Sequence, residues 1–114
     1  MVIERGEVWW ADLGEPDGSE PGYRHPVIIV QSNAFNRSRI RTIIAVVLTT
    51  NLRLVDAPGN ILIPAKVSGL PRDSIANVSQ VVTTDRDFLL ERVGQIHGPL
   101  LKDLNSGLRL VLEL

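Results

Sequence analysis

The chain contains no cysteine, which removes a disulfide framework, a thiolate metal site and a cysteine nucleophile together. It also lacks any long apolar stretch. The longest run, Ile43 to Leu48, is six residues, far short of the ~18 needed to span a bilayer. The first residues, MVIERGEV, carry acids where a secretory leader would carry basic residues and then an apolar stretch, so a cytoplasmic location is expected. Repeats, low-complexity tracts and linkers are missing, and residues 1–114 read as a single domain. The catalytic signatures recognisable by spacing are missing too: a Gly-Lys phosphate loop, a dinucleotide fingerprint, HExxH and a nucleophile elbow. His25 and His97 stand 72 positions apart with no carboxylates at ligand spacing, so neither a metal nor another cofactor is expected. What is left is a globular composition, 44% hydrophobic and 22% charged. A chain of this length buries roughly 65% of its unfolded surface.

The formal net charge of -1 hides a segregation. Residues 1–20 hold six acids against Arg5 alone. Residues 21–53 hold no acid and five bases, all of them arginine: Arg24, Arg37, Arg39, Arg41 and Arg53. The planar guanidinium fork suits phosphate oxygens and stacks on bases. If these side chains fold onto one side, a nearly neutral protein presents a cationic face suited to nucleic acid.

Turn formers and β-branched runs set the expected elements. VWWADL, Val8 to Leu13, lies between Gly6 and Gly14 and reads as a first strand. Gly14 to Pro26 packs three Gly and three Pro into thirteen residues, which predicts a long irregular loop of functional importance. A second strand is expected from Val27 to Gln31, opening right after Pro26, where a missing N–H is tolerated. Ile40 to Thr50 is nearly continuous in β-branched residues, so it predicts a central strand covered on both faces. Ile61 to Pro64 and Ser74 to Thr83 add further short strands, giving five or six in a small, mostly antiparallel sheet or barrel. A short helix is expected from Arg86 to Glu91, capped by Thr84 or Asp85. A longer one follows Pro99, with Leu100, Leu101, Leu104, Leu108, Val111 and Leu112 on one face. Gly107 costs that helix ~1 kcal/mol relative to Ala, so it depends on tertiary packing. The fold class is therefore mainly β with short α-helices.

Candidate chemistry is confined to two places. The loop GSEPGYRHP sets Glu20, Tyr23, Arg24 and His25 within six residues, and His25 is the one side chain type that titrates near neutrality. The central strand ends in Thr49, Thr50 and Asn51, two hydroxyls and an amide emerging from the core. Together they could hold a phosphodiester, with Arg on the phosphate oxygens, a hydroxyl donating to the same group and Tyr stacking on a base. Each also has an ordinary use as a loop residue or strand terminus, and composition leaves that choice open.

At these residues the sequence resembles the MazF/PemK family of bacterial toxins. RGEVWWADL, GSEPGYRHP running into VIIVQSN, IAVVLTTN, GLPRDSIANVSQVVT, ERVG and GLRLVL occur in the family's order over nearly the whole chain. The resemblance implies an SH3-like small β-barrel with a C-terminal helix, of the CcdB/MazF/PemK toxin type. It implies a homodimeric, metal-independent endoribonuclease that cuts single-stranded RNA, mRNA included, at short sequences. It also implies a cognate antitoxin whose acidic C-terminal segment occupies the RNA groove, matching the arginine block. The chemistry implied is attack of the ribose 2′-hydroxyl on the adjacent phosphate, so the substrate supplies its own nucleophile. By position, Thr49 matches the family's catalytic Thr, and Glu20 and Gln80 match groove positions. Arg37, Arg39, Tyr23, Thr50 and Asn51 complete the expected RNA contacts. The family's Arg before the strand-opening proline is replaced here by His25, with Arg24 one place earlier. Three readings follow: Arg24 shifts in to hold the phosphate, His25 takes an acid/base role, or the site is impaired. The first two acting together are the expectation. The alternative is a non-catalytic toxin of the same fold, binding gyrase as the CcdB toxins do, or an inactive antitoxin-binding homologue.

Overall fold

The structure, a computed structural model, describes residues 2–16, 18–19 and 22–114. Six strands form one antiparallel sheet: β1 (Glu7–Asp12), β2 (Arg24–Ile29), β3 (Thr42–Thr49), β4 (Ile61–Ile63), β5 (Ser74–Asp85) and β6 (Leu89–Gln95). Their spatial order is β4-β5-β3-β2-β1-β6. Two single helical turns, α1 (Asn33–Asn36) and α2 (Ala65–Ser68), and 310 turns at Leu52–Asp56 and Arg86–Phe88 join them. Helix α3 (Gly98–Leu112) follows β6.

The sheet curls into a half-barrel, and the alternation of side chains along its strands feeds two apolar clusters on opposite faces. Val8, Ile28, Val46 and Leu48 point toward α3, where Leu104 is fully buried and Leu100, Leu101 and Leu108 pack beside it. Trp9, Ala11, Val27, Ile29, Ile43 and Ala45 fill the other, far face with Ile3 and Leu89. Burying a leucine such as Leu104 stabilises the fold by about 2 kcal/mol. Gly107 is explained by close packing: a Cβ there would overlap the carbonyl oxygen of Gly59, in the turn before β4. Among the described residues no helix is long and apolar enough to cross a membrane.

The sheet, the central place of β3 and the C-terminal helix are as expected, and four details differ. First, β2 opens at Arg24, before Pro26. Leu13 donates to the Tyr23 carbonyl at 2.8 Å, and counting along by twos makes Trp10–Pro26 a non-hydrogen-bonded pair. The Pro26 nitrogen thus faces the β3 side, where pairing starts only at Val27, and no ladder bond is lost. Second, β3 is not covered throughout, since Ile44 is 40% exposed. Third, the helix expected over Arg86–Glu91 is a 310 turn of three residues, capped by Asp85, whose carboxylate accepts from the Asp87 N–H at 2.9 Å. The chain then runs into β6, which pairs with the free edge of β1. Fourth, α1 and α2 have no counterpart in the expected elements.

Candidate active site

Pairing of β1 with β2 sets Ala11 opposite His25 and Asp12 opposite Arg24. Neighbours along an extended strand point to opposite faces, so His25 and Arg24 part company here. His25 shares the far face with Ala11 and Val27. Val27 stands opposite Val47 of β3; carried two residues on, the same register brings His25 opposite Thr49. The His25 Nε2 lies 2.8 Å from the Leu48 carbonyl oxygen, the residue before Thr49, which ties the two strand ends together.

That bond assigns the ring's protons. A carbonyl only accepts, so Nε2 carries the hydrogen and Nδ1 of the neutral ring keeps an unshared lone pair. Burial pushes the His25 pKa below the ordinary 6.5, and the bond to Leu48 opposes the shift in part. The imidazole is therefore neutral at pH 7 and able to accept a proton. Thr49 is half-buried at the end of β3, and its Oγ1 accepts the Asn51 N–H at 3.2 Å. The hydroxyl oxygen is thereby held in place while its own hydrogen stays available to a ligand oxygen.

Arg24 belongs to the opposite face. Its guanidinium lies 4.4 Å from the centre of the Trp10 ring and 3.3 Å from Glu91 Oε1. Arg24, Trp10 and Glu91 thus form a row across β2, β1 and β6. Both charged groups are more than half exposed, so the ion pair itself is worth about 0–1 kcal/mol.

The other expected contacts divide in the same way. Gln80 lies on the His25 side, accepting from Asn77 Nδ2 at 2.9 Å; Asn77 pairs with Val47 across an irregularity in the β3–β5 ladder. Gln80 also lines a groove of about 750 Å³ with Asp12, Leu13, Gly14, Ser79 and the rest of β5 through Asp85. Tyr23 is 61% exposed, in a left-handed conformation (φ 53) just before β2. Thr50 and Asn51 are exposed, and the Asn51 Oδ1 caps the following 310 turn by accepting from the Arg53 N–H at 3.3 Å. Arg37 and Arg39 precede β3 and Thr49 ends it, so strand length alone separates them by about 20 Å. The arginines of the middle block therefore do not converge on one point. Arg41, beside them, bonds Asp85 at 3.3 Å and Asp87 at 2.7 Å. Glu20 lies outside the described residues. Among those described, no group of three or more His, Asp or Glu is placed to hold a metal ion.

Sequence reasoning missed the Leu48 carbonyl, Asn77 and the Trp10–Glu91 row. None carries a local signal, because each meets its partner only through strand pairing.

A profile of the PemK-like, MazF-like toxins of type II toxin–antitoxin systems matches residues 4–112. The chain belongs to the PemK/MazF toxin family. Over all 114 residues this family member is 47% identical to the endoribonuclease MazF6 of Mycobacterium tuberculosis, with both chains covered completely. It is 30% identical to the endoribonuclease EndoA of Bacillus subtilis, covering 100% of this chain and 97% of that one. A solved structure of a mycobacterial endoribonuclease in complex with its cognate antitoxin superimposes with a TM-score of 0.79, at 27% identity over 98% of this chain and 96% of that one. The PemK/MazF domain takes in every candidate residue named above.

Proposed function

We propose that this toxin is a metal-independent endoribonuclease that cuts single-stranded RNA, mRNA in particular, and so arrests translation and growth. The observation that carries the reading is the pairing, on one face of the sheet, of neutral His25 and Thr49, whose Nδ1 and hydroxyl hydrogen have no partner among the described residues. His25 Nδ1 removes the 2′-hydroxyl proton as the oxygen attacks the adjacent phosphorus. The new O2′–P bond forms and the P–O5′ bond breaks. The departing 5′-oxygen is protonated by the imidazolium or by water. The products are a 2′,3′-cyclic phosphate and a 5′-hydroxyl. Thr49 donates to a non-bridging phosphate oxygen as charge builds there. The imidazolium formed midway keeps its Nε2–H bond to the Leu48 carbonyl, which stabilises it.

Arg24 takes a different part. On the Trp10 face it holds the backbone of a flanking nucleotide, exchanging its weak pair with Glu91 for phosphate. Gln80 borders the RNA path on the His25 face, Tyr23, Thr50 and Asn51 border it at the strand ends, and Glu20 is assigned to it by family position. A cognate antitoxin blocks that path with an acidic segment, and the complex proceeds in the cytoplasm, where the mRNA is. The toxin acts as a homodimer. Support comes from exposed apolar side chains, Ile44, Val81, Leu112 and Leu114, around a shallow depression between β3, β5 and α3.

The test is incubation of purified toxin with a long single-stranded RNA in EDTA, mapping cut sites and end groups. Recurrent cuts at one short sequence, leaving cyclic phosphate and 5′-hydroxyl, are expected. Intact RNA from folded, antitoxin-free protein refutes the reading and turns attention to gyrase and other protein targets.

A further inference from the structure

The groove of about 750 Å³ is lined by neither His25 nor Thr49, but Gln80, on the His25 side, lines it. One end is formed by Asp12, Leu13 and Gly14, beside His25 in the β1–β2 hairpin, together with Gln80. The floor continues along β5 to Asp85, and Phe88, which directly precedes Leu89, the β6 partner of Ala11, lines the groove too. The phenyl ring of Phe88 is 51% exposed and lines the groove.

The turn that carries Phe88 is firmly held. Asp85 caps it, and the Arg86 N–H bonds the Arg41 carbonyl at 2.9 Å. The Arg86 guanidinium reaches the Ile40 carbonyl at 2.8 Å and the Asn36 carbonyl at 2.7 Å. These bonds draw the 36–41 segment, with exposed Arg37 and Arg39, to the same end of the sheet. Among the described residues neither Arg37 nor Arg39 forms an ion pair, whereas the carboxylates of Asp85 and Asp87 are both engaged by Arg41. Asp12, on the neighbouring strand, accepts from the Gly14 N–H at 2.9 Å. A firmly held, exposed aromatic ring whose turn is bonded to the segment carrying Arg37 and Arg39 suits single-stranded nucleic acid, the ring taking a base and the cations its backbone.

We infer that Phe88 is a base-stacking subsite for a nucleotide flanking the scissile phosphate, with Arg37 and Arg39 on the neighbouring phosphates. The inference rests on the RNA-cleaving reading and adds to it a second contact region, whose arginines lie about 20 Å along β3 from Thr49. It gives the distant arginines a role that the catalytic pair does not, and it makes the length of RNA beside the cut a determinant of affinity.

The experiment uses the full-length toxin and oligonucleotides centred on a cut site mapped in long RNA, with flanks trimmed from each side in turn. With wild type, trimming one particular flank raises KM roughly tenfold, the effect of one lost stacked base, and leaves kcat unchanged. Phe88→Ala raises KM for the long substrate to the trimmed value, leaves kcat and the trimmed substrate unaffected, and Phe88→Trp restores the wild-type KM. Replacing Arg37 and Arg39 by Gln lowers the slope of log affinity against log salt by about two. A long-substrate KM for Phe88→Ala equal to wild type overturns the subsite while leaving the nuclease reading intact. If wild type cuts nothing, the nuclease reading fails. Fluorescence anisotropy with the long RNA then decides the subsite separately, and equal affinities of wild type and Phe88→Ala overturn it.

Discussion

A histidine standing before Pro26 can serve RNA cleavage in two ways, and the pH dependence of the rate separates them. As a proton acceptor, His25 must be neutral; as a substitute cation for phosphate, it must be charged. The structure favours the neutral form, because burial lowers the pKa from 6.5 and the Leu48 carbonyl restores only part of that loss. The expected profile of log kcat against pH therefore falls on the acid side with unit slope and a midpoint below 6.5, and is flat through pH 7 to 8. His25→Gln retains an amide donor for the Leu48 carbonyl but cannot take a proton. It should lose about 10²- to 10⁴-fold in kcat, the usual contribution of a positioned general base, and lose the acid limb as well. The same shift appears in stability. A lowered pKa in the folded state means the unfolded chain binds the proton more readily. The contribution is fully present above pH 6.5 and is lost as pH falls through the folded-state pKa, and His25→Gln should remove that part of the dependence. Single-turnover cleavage of a fluorophore–quencher RNA from pH 4.5 to 8.5 measures the rate, and urea unfolding over the same range measures the linkage. A cleavage rate that rises as pH drops below 6.5, and that His25→Arg preserves, would refute the proton-acceptor role.

Three further outcomes are expected. Thr49→Val, which removes the hydroxyl while keeping a β-branched strand residue, should lower kcat about 10²- to 10³-fold with an unchanged melting temperature, read by cleavage assay and calorimetry. Gly107→Ala gains helix propensity but forces a methyl into the Gly59 carbonyl; a net loss of about 1–3 kcal/mol should appear in chemical unfolding, and a gain in stability would overturn the packing account. Ile44→Glu places a charge on the exposed apolar strip between β3 and α3, and light scattering should show the dimer shifted to monomer while the circular dichroism spectrum is retained.

Local patterns carried most of the architecture. The β-branched run before Thr49 announced the central strand, and Pro99 with the leucines behind it announced α3. The failures were non-local. Leu89–Gln95 is a strand because the edge of β1 lies open to it, and the cap at Asp85 that suggested a helix serves only a 310 turn. Of the candidate site residues, His25, Thr49 and Gln80 lie on one side of the sheet. The sorting of His25 from Arg24 was not legible in the sequence, because it depends on whether β2 starts before or after Pro26, and that is settled by the parity of hydrogen-bonded pairs with β1. Likewise, five arginines consecutive in charge are divided by the length of β3.

The hydrogen bond from His25 to the Leu48 carbonyl has a consequence for how this site tolerates mutation. Where a carboxylate orients a catalytic imidazole, one base change in the gene can delete the orienting group. Here the acceptor is main chain, so every residue type at position 48 supplies it, and selection on the Leu48 side chain concerns core filling alone. The vulnerable quantity is instead the alignment of two neighbouring strands. A slip of β2 against β3 by a single residue would turn the imidazole away from Thr49 and from its acceptor at once. Variants that silence such a toxin without touching its reactive groups should therefore collect along the β2–β3 seam, at Val27, Ile29, Ala45 and Val47.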